Sequence, residues 1–179
     1  MWEDWLLIVR FNRKDGDAFR RIYLKYRSDL LKVAGALLSD QGAAEDVLHD
    51  VFMNFARQAG SFRLRSRLKA YLAICVANRA RDVNRRERQR RTSGLDAVEE
   101  PVSPQPGPAH PLVERERAER LAAALALLPF EQREVIVLHL QQGLRFREIA
   151  RLQALSPNTV MSRYRYALEK LRSSLNGEL

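Results

Sequence analysis

The side chains best suited to act on a partner are arginines, and they are unevenly spread. Arg63, Arg65, Arg67, Lys69, Arg79, Arg81, Arg85, Arg86, Arg88, Arg90 and Arg91 fall in one stretch, opposed only by Asp82 and Glu87. That stretch carries a net +9, equal to the formal charge of the whole chain, so the remainder is roughly neutral. Clustered guanidinium groups neutralise phosphates and release counterions, which points to nucleic acid. Phe62, Tyr71, Asn78 and Asn84 interleave with them. Such groups suit stacking and base-edge hydrogen bonding to a single or melted strand, although composition alone does not separate duplex from single strand. A solvated helix face is the plain alternative.

A second constellation lies between Phe146 and Val160. Ile149, Ala150, Leu155 and Val160 are apolar where two short helices must meet, and Ala150 is small enough for a close crossing. Ser156 followed by Pro157 gives an N-cap and a first-turn proline, restarting a helix three residues after the last one ends. This spacing predicts a helix-turn-helix whose second helix enters the major groove N-terminus first. Its outward face carries Asn158, Thr159, Ser162, Arg163, Arg165 and Tyr166, and arginine can pair with guanine bidentately.

Covalent chemistry has little support. Asp46 and Asp50 stand one helical turn apart, but no histidine is placed to join them, and His49, His110 and His139 lack metal-ligand spacing. Cys75 is the single cysteine, which excludes an internal disulfide and a cysteine-based zinc site. Its apolar surroundings, Tyr71 to Ala77, predict a buried structural thiol. No metal, cofactor or catalysis by the isolated chain is expected.

The elements that must position these residues are helical. With 179 residues and 46% hydrophobic side chains the chain can build packed cores. Its 31 Lys and Arg against 22 Asp and Glu favour nucleic acid as the partner, anionic membrane second, with simple solubility as the bland reading. The first residues lack a signal-peptide pattern and no apolar run is long enough to span a bilayer, so a cytoplasmic protein without membrane insertion is expected. Trp2, Trp5, Leu6 and Val9 begin a short amphipathic segment. Phe19, Ile22, Tyr23, Tyr26, Leu30, Val33 and Leu37 recur at helical steps to near Ser39. Asp40 is the expected N-cap of a helix carrying Val47, Leu48, Val51, Phe52 and Phe55. A basic helix follows from about Ser66 to Arg91, burying Leu68, Leu72, Val76 and Val83. Five of the seven prolines fall between Pro101 and Pro111, a composition that reads as an extended linker. Beyond it, helices are expected at Leu112–Leu128, Glu131–Gln142, Phe146–Gln153 and Pro157–Leu175. The fold class is all-α: two small helical domains, 1–91 and 112–179, joined by a Pro-rich linker, 92–111.

Asp17-Ala18-Phe19, Leu24-Lys25-Tyr26, Ala44-Glu45-Asp46-Val47, Asp50-Val51-Phe52, Phe62, Tyr71-Leu72, Asn78, Asp82 and Arg85-Arg86 come in that order. Leu128-Pro129, Gln132-Arg133, Glu148-Ile149-Ala150, Thr159-Val160 and Ser162-Arg163 follow. In order and spacing these motifs resemble the extracytoplasmic-function group of bacterial RNA polymerase sigma factors, over almost the whole chain. The resemblance implies that the first domain binds the β′ clamp helices of core RNA polymerase through Asp46, His49, Asp50 and Phe52. It implies that the −10 promoter element is read and melted by Phe62, Arg63, Arg65, Asn78, Arg81, Asp82, Arg85 and Arg86, with a base flipped into the Gly60–Lys69 loop. On the residues alone, Phe52 could equally be core, and Asp82 could pair with Arg79, Arg85 or Arg86. The last domain would read the −35 duplex and meet the β flap, and an anti-sigma factor is a further partner the resemblance allows. His49 stands where the family usually has Gln, Tyr71 where it has Trp, Ala154 where the turn usually has Gly, and Tyr166 where Arg is common. The rival reading is an autonomous helix-turn-helix repressor or activator that binds a palindrome as a dimer.

Overall fold

A computed structural model describes residues 2–38, 40–64, 67–92 and 112–176, with the side chains of 91, 92, 112–115 and 176 left aside. Of the Pro-rich linker expected at 92–111, Thr92 ends a helix and 93–111 lie outside the described residues. All regular structure among the described residues is helical: α1 (Trp2–Asn12), α2 (Gly16–Leu37), α3 (Gln41–Ala56), α4 (Leu68–Thr92), α5 (Leu112–Ala126), α6 (Phe130–Ile136), α7 (Phe146–Gln153) and α8 (Pro157–Asn176), with one π-helical turn at Val137–Gln141.

Local signals set most of the boundaries. The Asp15 carboxylate caps α2 by accepting from the Asp17 and Ala18 N–H groups, at 2.9 and 3.2 Å, and it also accepts from Arg10 Nε at 2.8 Å. Asp40 caps α3 through the Ala43 N–H, as its position predicts. Pro129 cannot continue a helix, and α5 ends at Ala126, two residues earlier than the periodicity suggests. Periodicity also joins α6 to the segment after it, whereas the chain widens into the π turn before Gly143 reverses it at φ 64°.

The first domain buries α2, α3 and α4 against one another, with α1 laid on α2. Ile22, Leu30, Val33, Leu37, Val47, Leu48, Leu68, Leu72 and Val76 fill the centre. One end is aromatic: Phe11 stacks on Phe55 at 4.5 Å between ring centroids, and Phe62 meets Phe55 edge-on at 5.0 Å and Tyr71 at 5.1 Å. The α1 face is a correction. Leu7, Ile8 and Phe11 turn inward, while Trp2, Trp5 and Leu6 are exposed, because α1 is apolar on more than one side and periodicity cannot choose between faces.

In the second domain α8 is the common partner of α5, α6 and α7. Ile149, Ala150 and Val160 are buried at the α7–α8 crossing. His139 Nδ1 lies 2.7 Å from the Leu144 carbonyl oxygen, and its ring packs on Phe146 and Tyr164, which fixes the reversal into α7. The two domains touch: α2 meets the π turn and α4 meets α7, so one apolar cluster runs from Leu30 and Val76 through to Leu144 and Ile149.

Candidate nucleic-acid interface

The turn between α7 and α8 is built by short-range hydrogen bonds. Glu148 accepts from the Arg145 N–H at 2.9 Å and so closes the start of α7; that backbone bond, then Arg67, holds its carboxyl below the usual range. Ala154 ends α7 in the left-handed region, φ 54° and ψ 40°, and the Leu155 N–H returns to the Ala150 carbonyl at 2.9 Å. Ser156 Oγ then accepts from the Thr159 N–H at 3.0 Å, the N-cap that Ser-Pro predicts. These bonds aim α8 so that Val160, Ala167 and Leu171 face inward. Asn158, Thr159, Ser162, Arg165 and Tyr166 are exposed at the other face and Arg163 is half-buried. The Arg165 guanidinium lies over the Tyr166 ring, 5.2 Å from its centroid. All six residues expected to read duplex DNA therefore share one helix end.

The arginine-rich helix presents its charge differently. Asn78 is exposed and accepts from Arg81 Nη1 at 3.3 Å. Arg81 Nη2 also lies 2.6 Å from both Glu134 carboxylate oxygens, on α6 of the other domain. Arg79 holds Asp50 at 2.6 Å, Lys69 holds Asp29 at 2.6 Å, and Arg85 holds Asp82 at 3.2 Å. Asp82 thus has the internal partner its spacing allows. Arg63, Arg85 and Arg86 are exposed, and Arg65 lies outside the described residues. Beside Asn78 a groove between α3 and α4 is lined by Asn54, Gln58, Tyr71, Cys75 and Arg79. Burial raises the pKa of the Cys75 thiol there, although the side chain is only half-buried at the groove wall.

Two expected contact residues are turned inward. Phe62 is buried against Phe11, Phe55 and Tyr71, and its backbone is pinned by Asn12: Asn12 Nδ2 donates to the Phe62 carbonyl at 2.8 Å, and Asn12 Oδ1 accepts from Phe62 N–H at 3.2 Å. It shapes the loop rather than presenting a ring. Phe52 is likewise buried, against Tyr23 at 4.8 Å. Of the polymerase-facing set, Asp46 and His49 are exposed and Asp50 is half-buried. Met53, 44% exposed, completes their stripe at i, i+3, i+4 and i+7. That spacing was available in the sequence and marks Met53, not Phe52, as the apolar member of this face.

No group of three or more His, Cys, Asp and Glu could hold a metal among the described residues. None of the helices is long and apolar enough to cross a membrane among the described residues. A helix-turn-helix with an open polar face, beside a second basic helix, defines a DNA-binding protein of transcription.

Comparison with known proteins narrows the class. The Sigma-70 region 2 model matches residues 22–91, and the Sigma-70 region 4 model matches residues 118–171. RNA polymerase sigma factor CarQ of Myxococcus xanthus is 29% identical over 171 residues, 95% of each chain. ECF RNA polymerase sigma factor SigM of Mycobacterium tuberculosis is 29% identical over 161 residues, 88% of this chain and 76% of that one. The sigma factor RpoE, solved in complex with the anti-sigma factor NepR from Bartonella quintana, superposes with a TM-score of 0.73 at 26% identity, over 88% of this chain and 96% of that one. The two family models together span more than half of the chain, and it belongs to the sigma-70 family of RNA polymerase sigma factors, in the extracytoplasmic-function group. It directs promoter-specific initiation of transcription by RNA polymerase.

Proposed function

We propose that residues 1–91 dock on core polymerase and open the −10 element, that 92–111 link the domains, and that 112–179 read the −35 element as duplex. The supporting observation is the open polar face at the start of α8, where Asn158, Thr159, Ser162, Arg163, Arg165 and Tyr166 converge without an ion pair to the rest of the described protein. Asp46, His49, Asp50 and Met53 would form the docking stripe for the β′ clamp helices, with Phe52 holding α3 in place from beneath. Asn78, beside the α3–α4 groove, would receive a base turned out of the stack, while Arg63, Arg65, Arg81, Arg85 and Arg86 track the strand and Asp82 orients Arg85. Phe62 supports the loop that leads into this site.

The protein supplies positioning and charge and no covalent step, so no cofactor is needed. Its place of action is the cytoplasm, where core polymerase meets promoter DNA. An anti-sigma factor is a further partner, by likeness to RpoE held by NepR. The test is transcription by core polymerase plus this protein on a genomic library, with start sites mapped. Starts that share one two-part upstream motif are expected. No starts beyond those of core alone, or nanomolar binding of the free protein to a palindrome as a symmetric dimer, would overturn the reading.

A further inference from the structure

One apolar surface serves neither a core nor any surface proposed above, and it lies on α1. Leu7, Ile8 and Phe11 pack inward. Trp2, Trp5, Leu6 and Val9, at i, i+3, i+4 and i+7, form a second stripe on the opposite side of the helix. Trp2 is 84% exposed, Trp5 55% and Leu6 53%, and the two indoles meet edge-on with 6.4 Å between ring centroids. Large apolar side chains gathered in water mark an interaction surface. None of the four belongs to the faces proposed for DNA or polymerase.

The charge around the stripe is positive. Arg10, Arg20 and Arg21 line an open cleft of about 340 Å³ between α1 and α2, with Asp17 and Leu24. Arg13, Lys14 and Arg20 are exposed and make no ion pair among the described residues. The acids at the start of α1 are already engaged. Glu3 accepts from Lys25 at 2.7 Å, and Asp4 accepts from Lys25 at 2.8 Å and from the Tyr26 hydroxyl at 2.6 Å.

A second copy of the chain is a poor occupant. Its arginines would face their own kind, and one side of an 11-residue helix falls short of the roughly 800 Å² that each partner gives a stable dimer. An anionic bilayer fits both halves of the surface. Indole rings settle between headgroups and acyl chains without a matching pocket, and guanidinium groups at the rim pair with lipid phosphates. We propose that the outer face of α1 is a peripheral docking surface for anionic membrane, with Trp2, Trp5, Leu6 and Val9 in the interfacial layer and Arg10, Arg13, Arg20 and Arg21 on the phosphates. This is adsorption of one helix face and involves no span.

Trp2 and Trp5 are the only tryptophans of the chain, so indole fluorescence reports on this surface alone. The full-length protein is mixed with vesicles of phosphatidylglycerol and phosphatidylcholine in equal parts, with and without bromine on the acyl chains. Emission is expected to shift to the blue and to be quenched by the brominated lipid, more strongly than on phosphatidylcholine alone. In co-sedimentation, W2S/W5S should partition at least about tenfold more weakly, since two large apolar side chains no longer enter the lipid. R13Q/R20Q should lose about threefold or more, and more than K170Q/R172Q, an equal charge change at exposed positions of α8.

The arginines of α4 can themselves attract anionic vesicles, and that case is distinct. Pelleting of the wild type without a blue shift or quenching would overturn the proposal, as would equal pelleting of W2S/W5S. Equal quenching on neutral vesicles, or equal losses in the two charge variants, would overturn the role of the arginines and with it the anionic bilayer as partner. A blue shift that grows with protein concentration in the absence of lipid would give the stripe to a second copy. Quenching by poly(dT) but not by brominated lipid would give it to DNA, and either result overturns the proposal. Circular dichroism checks the helix content of each variant, and if W2S/W5S is unfolded the wild-type quenching decides.

Discussion

The two helices proposed to face DNA differ in what holds them and in what they hold. On α4, Arg79, Arg81 and Arg85 are engaged with Asp50, Glu134 and Asp82, and its direction follows from packing against α2 and α3. On α8 no arginine makes an ion pair among the described residues, and its direction follows from a cap and a turn within six residues, Ala154 to Thr159. The helix with the larger charge therefore has three of its arginines engaged by carboxylates, whereas those of α8 are not. Net charge counted along a sequence measures the long-range field, whereas availability at a site depends on partners that arrive from elsewhere in the fold.

The sharpest way to break this comparison is at Arg163. Arg163→Ala removes a guanidinium fork from the open face, and a bidentate base contact is worth about 1–3 kcal/mol of discrimination. Transcription from promoters with altered −35 sequences should lose discrimination by about tenfold or more, with little change in protein stability. Equal discrimination by wild type and variant would remove Arg163 from the readers and leave it a phosphate-positioning contact.

On α4 the corresponding change is Asn78→Ala. Asn78 is exposed and accepts only a 3.3 Å bond from Arg81, so little stability is at stake, and a lost base contact costs about 1 kcal/mol. Opening of the −10 region, followed by permanganate reactivity, should slow several-fold while formation of the closed complex stays the same. Normal reactivity would show that α4 acts through charge alone.

Local capping supplies the next test. Ser156 accepts from the Thr159 N–H and its hydroxyl lies 2.8 Å from Thr159 Oγ1. Ser156→Ala should destabilise the helix-turn-helix by about 1 kcal/mol, seen as a lower denaturation midpoint, and should weaken −35 binding by loosening the first turn of α8. A stability loss confined to the first domain would contradict the local origin of this geometry.

Much of this contrast was legible in the sequence, and the rest was hidden for identifiable reasons. Asp40, Ser156 and Pro157 announce helix starts because capping acts over three residues. The apolar steps of α2 find its buried face because only one face of α2 is apolar. Phe52 and Phe62 misled because an aromatic ring serves a core and a stacking site equally well, and only packing against Tyr23, Phe11 and Phe55 decides. Arg81 and Glu134 lie 53 residues apart with a Pro-rich stretch between them, and no local pattern couples two such positions.

Ala154 carries the smallest expected effect. An alanine at φ 54° brings its Cβ towards a carbonyl oxygen, at about 1–2 kcal/mol, and glycine removes that strain. Glycine also adds freedom to the unfolded chain, which offsets about 0.5–1 kcal/mol of the gain. Ala154→Gly is therefore expected to stabilise the second domain by about 0.5–1 kcal/mol, read as a small rise in denaturation midpoint. The Leu155 N–H bond to the Ala150 carbonyl, 2.9 Å long, should persist, so −35 selectivity stays the same. A stabilised protein with altered selectivity would mean that the strained turn itself sets the angle of α8. The contrast with α4 would then lie in stored backbone strain at one helix start and in ion pairs at the other.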